Sequence, residues 1–258
     1  VAEVEAPEKV APGFWLVAKL ATQYYCYTHL DNGKYPLYKH HRILNLLYYI
    51  KLWAVSGIKR LGYWLGDYTF SRKIKKRKFG DFYIVPLQVY DDSQVRVHSD
   101  FHSVGDFLTH VLDSFVQHAP NHLTLIIKHH PMDRGFIDYG HIIKDYIKRY
   151  PSLKNRLYYV HDVMMPVFLR HAKGMVTLNS TSGLSALLHN MPVMTLGRAH
   201  YNMPGLTHQK SLAEFWHSPE QPNRELFRQY HLYHLNKTQI NGSFYNRVIL
   251  RYPYNLYK

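Results

Sequence analysis

Cysteine is almost absent: Cys26 is the only one in 258 residues. A disulfide framework is therefore excluded, and a reducing compartment is expected. Long apolar runs are missing too. No window of about 18 uncharged apolar residues occurs, so no transmembrane helix is predicted. Acidic residues are scarce, 18 Asp and Glu against 32 Lys and Arg, which leaves a net charge of +14. Several motif classes are absent as well. There is no HExxH and no paired Cys-x-x-Cys, so no metal site is expected despite 19 histidines. GxGxxG, P-loop and GxSxG patterns are missing, which weakens dinucleotide-binding, NTP-hydrolysing and α/β-hydrolase readings. No signal peptide is recognisable. The chain begins at Val1 rather than Met and is expected to be part of a longer polypeptide.

What is present suits a folded domain. Apolar residues make up 46% of the chain, enough for a core. The basic balance favours polyanionic partners: nucleic acid, anionic lipid or phosphorylated substrates. The densest basic run, Arg72 to Lys78, reads as a solvated linker before a strand, with an anionic surface contact as the alternative. Residues 1–80 have helical texture. Ile43, Leu46, Leu47, Ile50, Val55, Ile58, Leu61 and Leu65 approximate one helical face, accompanied by Trp53, Trp64 and several basic residues. The favoured expectation is a helix packed on its own domain; a helix lying on a membrane surface is the alternative.

From residue 81 the pattern alternates. Strands are predicted at 82–89, 123–127, 157–160, 175–178 and 192–196, with helical segments between them. Short apolar strands separated by helices predict an α/β, Rossmann-like parallel sheet with helices on both faces. Residues 81–258 are expected to form that domain and residues 1–80 a helical connecting segment.

In such sheets ligands bind beyond the carboxyl ends of the strands. Polar clusters follow the first four strands: Asp91-Asp92-Ser93-Gln94, Lys128-His129-His130-Pro131, His161-Asp162, and Asn179-Ser180-Thr181-Ser182-Gly183. Small hydroxyl residues and a glycine before a helix suit an anion site, since the helix start offers N–H donors and Gly183 permits close backbone approach. One capping residue would suffice for structure alone. Pro131 should hold His130 extended, where its imidazole can donate a hydrogen bond or a proton to a phosphate. Asp91 and Asp92, as neighbours on an extended chain, should point to opposite faces, so they should not share a metal ion.

The string Val85-Pro86-Leu87-Gln88-Val89-Tyr90-Asp91-Asp92-Ser93-Gln94 resembles a stretch of bacterial capsule polysaccharide biosynthesis proteins of the KpsS, KpsC and LipB type. Further matches follow in order: His98-Ser99, Ser114-Phe115, Ala119-Pro120, Lys128 to Gly135, Asn179 to Leu187, Gly197 to Tyr201, Pro204 to Thr207, Phe215-Trp216 and Gln239 to Tyr245. The resemblance implies a retaining β-Kdo glycosyltransferase of GT-B-like fold, of which this chain would be the donor-binding half. It implies CMP-Kdo as donor, a phosphatidylglycerol-type lipid or Kdo-linker acceptor, and no cofactor. It also implies a peripheral place on the inner face of the cytoplasmic membrane, among other capsule assembly and export proteins. By resemblance Lys128, His130, Pro131, Gln94 and Asn179 to Gly183 hold CMP. His161 and Asp162 lie toward its ribose or cytosine, and Asp92 is the catalytic carboxylate, as nucleophile or as base. A single motif set favours the single-module branch of the family, lacking its N-terminal part. Two other classes remain open: a non-catalytic scaffold of the capsule assembly complex, and a basic nucleic-acid-binding protein. Polar clusters at strand ends favour a small-molecule cleft, and no nucleic-acid partner is expected.

Overall fold

A computed structural model describes residues 14–30 and 46–238. Ile43 and the Gln239 to Tyr245 match therefore lie outside the described residues. The chain divides into two compact units, Ile50–Phe227 and Val1–Tyr49 with Arg228–Lys258. In the second of these, helix α1 (Phe14–Leu30) exposes Trp15, Tyr24 and Tyr27.

The unit Ile50–Phe227 is built on five parallel strands: β1 (Phe82–Pro86), β2 (Thr124–Lys128), β3 (Leu157–Val160), β4 (Gly174–Thr177) and β5 (Val193–Thr195). Their order is β3-β2-β1-β4-β5. The expected strands are thus all present, each within a few residues of its expected place. All residues of β1, β2, β4 and β5 are buried. That is why the strands read as continuous apolar runs rather than alternating ones: a parallel sheet is covered on both faces.

The cover comes from helices. Val104, Phe107, Leu108, Val111, Leu112 and Phe115 of α4 (Val104–His118) recur at helical spacing and pack with Tyr83, Val85, Leu125 and Ile127. Ser103 caps this helix, its side chain accepting from Asp106 N at 3.1 Å. Helix α5 (Gly140–Arg149) adds Ile143 and Tyr146 to the same face, and α8 (Leu212–His217) adds Phe215 and Trp216. On the opposite face Phe82 meets Phe168 of α6 (Met165–Leu169). Helices α3 (Ser93–Val97), α7 (Ser182–Leu188) and α9 (Arg224–Thr238) complete the chain order.

Helix α2 (Leu46–Lys75) departs from expectation. Its apolar face was expected to pack on its own domain, yet Ile58, Leu61 and Leu65 are 72%, 71% and 66% exposed. Ile50, Trp53, Trp64 and Tyr68 are exposed with them. The packed side of α2 is a more polar one. Tyr63 and Asp67 reach the end of β3, Phe70 stacks on Phe79 at 4.6 Å, and Ile74 is fully buried. Apolar count alone misplaced the contact, because the inward face is chosen by specific polar partners. The basic run is likewise no linker at its start. Arg72, Lys73 and Lys75 belong to the last turn of α2, where cations complement the helix dipole.

Candidate functional site

The strand order reverses between β1 and β4, with β2 on one side of β1 and β4 on the other. At such a reversal the loops leaving two neighbouring strands diverge and open a crevice. The residues that follow β1, β2 and β4 frame it.

After β1 the backbone stops being a strand at Pro86, turns at Tyr90-Asp91 and enters α3. The alternating-face argument for Asp91 and Asp92 therefore fails, because it needs an extended chain. Asp92 is set instead as the N-cap of α3, where Oδ1 accepts from Gln94 N at 2.9 Å. Its other oxygen accepts from the side-chain amide of Gln88 at 3.1 Å. Gln94 takes part through its backbone, and its side chain is exposed. The loop is also tied to its neighbour after β2: Tyr90 N donates to the buried Asp133 carboxylate at 2.8 Å.

After β2 come three basic residues with three different environments. Lys128 is buried, and burial, reinforced by Arg134, pushes its pKa down to about 8. It thus remains mostly charged at neutral pH. His129 is fully buried, with Nδ1 2.6 Å from the Tyr159 hydroxyl. Burial and then His161 lower its pKa to about 3, so it is a neutral core residue. His130 is extended (φ −75°, ψ 129°), as the following proline requires. Its Nδ1 accepts from Met132 N at 3.2 Å, which leaves the proton of the neutral ring on Nε2. Burial, then Lys128, lower its pKa to about 4 against the opposing pull of Asp92. His130 is therefore a neutral N–H donor rather than a cation; the positive charges of this segment are those of Lys128 and of Arg134, which is paired with Asp162. Pro131 opens the one-turn helix Pro131–Asp133 at a position where its missing N–H costs nothing.

After β3, His161 and Asp162 are already engaged. Tyr63 lies flat on the His161 ring at 3.7 Å. One Asp67 oxygen accepts from both His161 N and Asp162 N, and the Asp162 carboxylate pairs with Arg134. In strand order β3 stands beyond β2, away from β4. The structure places these two residues in a packed junction between α2 and the β2 loop, and does not bring them beside Asn179 to Gly183.

After β4, Asn179 turns back toward β1. Its N–H donates to Gln88 Oε1 at 3.4 Å, and its side-chain amide donates to Gln94 O at 3.0 Å and His98 O at 3.2 Å. Ser180 Oγ accepts from Ser182 N and donates to Ser182 Oγ, both at 3.2 Å. Thr181 is exposed and supplies no side-chain cap to α7. Gly183 has a structural reason in place of the expected ligand approach. A Cβ there would stand 2.2 Å from the hydroxyl of Tyr201, which is fully buried and donates to Ser180 O. The run is thus partly self-bonded, with Thr181 exposed at the helix start.

Comparison with known proteins then bears on identity. The family model described as "Capsule polysaccharide biosynthesis protein" matches residues 1–245. The chain belongs to the capsule polysaccharide biosynthesis family. It is 56% identical over 246 residues to the capsule polysaccharide modification protein LipB of Neisseria meningitidis serogroup B, covering 95% of this chain and 59% of that one. It is 40% identical to the capsule polysaccharide export protein KpsS of Escherichia coli, covering 82% of this chain and 54% of that one. The chain therefore spans just over half the length of these curated relatives. Among solved structures, Thermosulfurimonas dismutans KpsC, beta Kdo 2,7 transferase, is similar over 49% of this chain and 37% of that one, at 24% identity and a TM-score of 0.37.

Within this capsule-family chain, four participants escaped the sequence reading. Gln88 joins the loops after β1 and β4. Asp67 and Tyr63 shape the end of β3 from α2, and Tyr201 supports the Ser180 turn. Only Gln88 had a visible signal, a polar residue in an otherwise apolar strand exit. Asp67 is the single acidic residue of α2.

Proposed function

We propose that this protein is the donor-binding part of a glycosyltransferase that moves Kdo from CMP-Kdo to a phosphatidylglycerol-type lipid or Kdo-linker acceptor. Family membership supports the capsule context, and the sequence resemblance supplies the donor. The observation that carries the reading is the arrangement about β1. A carboxylate, Asp92, stands at the strand-order reversal, with the Lys128 charge and the His130 N–H after β2 and the Ser/Thr hydroxyls after β4. CMP leaves as a phosphate anion, and a buried ammonium with preset N–H and O–H donors can stabilise that charge. Retention of configuration follows from two displacements. Asp92 attacks the anomeric carbon as the bond to phosphate oxygen breaks and CMP takes the electron pair. The acceptor hydroxyl then displaces the carboxylate, which leaves with its electron pair, and the hydroxyl proton passes to the released CMP phosphate.

The phosphate assignment has a direct test. His130→Ala and Ser182→Ala should each weaken CMP by about 1.5–3 kcal/mol, roughly ten- to hundredfold, and leave cytidine almost unaffected. Calorimetry with CMP, cytidine, UMP and AMP reads this. Equal losses for CMP and cytidine would remove the phosphate from this loop pair.

A membrane-surface role for α2 belongs to the same proposal. Its exposed apolar face carries Trp53 and Trp64, its one acidic residue is turned to the β3 end, and Arg72, Lys73 and Lys75 close the helix. Apolar area beside cations suits an anionic bilayer. Vesicles containing phosphatidylglycerol should bind at low salt and release as salt rises, and Leu61→Asp should weaken binding. No sedimentation with vesicles at low salt would defeat this part. Among the described residues no helix is long and apolar enough to cross a membrane.

A further inference from the structure

Gln88 is 92% buried on the exit of β1, where a buried polar side chain needs partners on both ends of its amide. It has them, and they come from different strand exits. Nε2 donates to Asp92 Oδ2 at 3.1 Å, and Oε1 accepts from Asn179 N at 3.4 Å. The Asn179 side chain returns two hydrogen bonds to Gln94 O and His98 O, the backbone on either end of α3. One amide thus bridges the carboxylate on one side of the strand-order reversal and the hydroxyl loop on the other. Rotating the amide would set donor against donor at Asn179 and acceptor against carboxylate at Asp92, so the orientation is fixed by its partners.

We propose that Gln88 is a positioning residue: it holds the Asp92 carboxylate and the Asn179–Gly183 loop in one fixed relation. This rests on the proposed role of Asp92 for its catalytic meaning, but not for its structural content. Glutamate is the informative replacement. Protonated, it reproduces the amide, with an O–H toward Asp92 and a carbonyl toward Asn179 N. Ionised, it sets two carboxylates side by side, which disfavours charging both. Leucine keeps the bulk and removes both hydrogen bonds. His130, whose ring feels the charge of Asp92, keeps its own contact with Met132 N in either variant.

The experiment has two readouts on the same chain. The Gln94 amide signal in ¹H–¹⁵N NMR reads the placement of the Asp92 carboxylate to which it donates, and needs no turnover. It should shift in Gln88→Leu, which removes one donor to the carboxylate, and in ionised Gln88→Glu, where two carboxylates repel, and in Gln88→Glu it should return toward the wild-type position as pH falls. Transfer from CMP-Kdo should fall in kcat by about ten- to hundredfold in Gln88→Leu, with the CMP dissociation constant changed less than about threefold. In Gln88→Glu the loss should recede as pH falls and the shared proton returns. A Gln94 amide signal unmoved in both variants overturns the positioning role, as does a Gln88→Glu defect that is independent of pH. Asp92→Asn, run beside them, separates the two ideas. If it still transfers Kdo, the catalytic reading of Asp92 fails, and the NMR result alone decides whether Gln88 positions the carboxylate.

Discussion

Asp92→Asn should reduce Kdo transfer by roughly a thousandfold or more while CMP affinity stays within a few-fold. The separation is sharp because the substitution spares the fold. Asparagine caps helices about as well as aspartate, so its side-chain oxygen can still accept from Gln94 N and start α3. What is lost is the negative oxygen, and with it the hydrogen bond that this oxygen accepts from the Gln88 amide. In the full protein, wild type incubated with CMP-Kdo and no acceptor should carry a Kdo ester on the Asp92 peptide, visible by mass spectrometry. The variant should carry none. A base in place of a nucleophile predicts the same loss of rate with no adduct in either protein. Normal turnover by the variant would remove Asp92 from the chemistry altogether.

Gly135→Ala should destabilise the described unit strongly for so small a change. A Cβ at Gly135 would stand 2.2 Å from Leu52 O and 3.2 Å from Ser56 N, both backbone atoms of α2. No rotamer relieves a clash with a main-chain carbonyl, so the helix or the loop must move. Overpacking of this kind costs about 1–3 kcal/mol. At this chain size that lowers Tm by about 2–12 °C. Movement of α2 also loosens the Tyr63 stack on His161 and the Asp67 bonds to the β3 exit, so the His161 ring signals should shift in NMR. Gly57→Ala and Gly62→Ala provide the contrast. Added Cβ atoms there meet nothing within 4 Å, and both positions lie inside α2. These two should each stabilise by roughly 0.5–1 kcal/mol through helix propensity. Unchanged melting of Gly135→Ala would mean that α2 does not pack as described.

The sheet was legible because its determinants are local. Leu123 to Ile127 or Val176 to Leu178 can hardly be anything but covered strands, and a strand exit with small polar residues is a local feature too. The strand order followed the expected alternation and puts the exits of β2 and β4 on either side of β1. What the sequence did not disclose is how neighbouring polar residues divide the work. His129 and His130 look alike as a string, yet one is sealed against Tyr159 and the other faces Met132 N and the loop exterior. Gly183 looked like room for a ligand and proved to be room for Tyr201, eighteen positions on in sequence and in contact only through the fold. Asp92 was selected by resemblance, while the reason offered from strand alternation failed because the strand ends six residues earlier. The inward face of α2 was hidden for a related reason: its decisive partners, the backbone N–H groups of His161 and Asp162, lie about 95 residues away.

Because α2 has a seated side and an open side on the same turns, its length is constrained more than its composition. Successive residues of an α-helix are about 100° apart around the axis. One residue added between Trp53 and Leu61 would leave Asp67 in register with the β3 exit but swing the Leu52 carbonyl that faces Gly135, and the exposed Ile50 and Trp53, by that angle relative to Leu61 and Leu65. Side chains on the open face can be exchanged singly at little cost to the fold, whereas an insertion or deletion would break the alignment of both faces at once. In a library of variants, this helix should tolerate substitutions and reject changes of length.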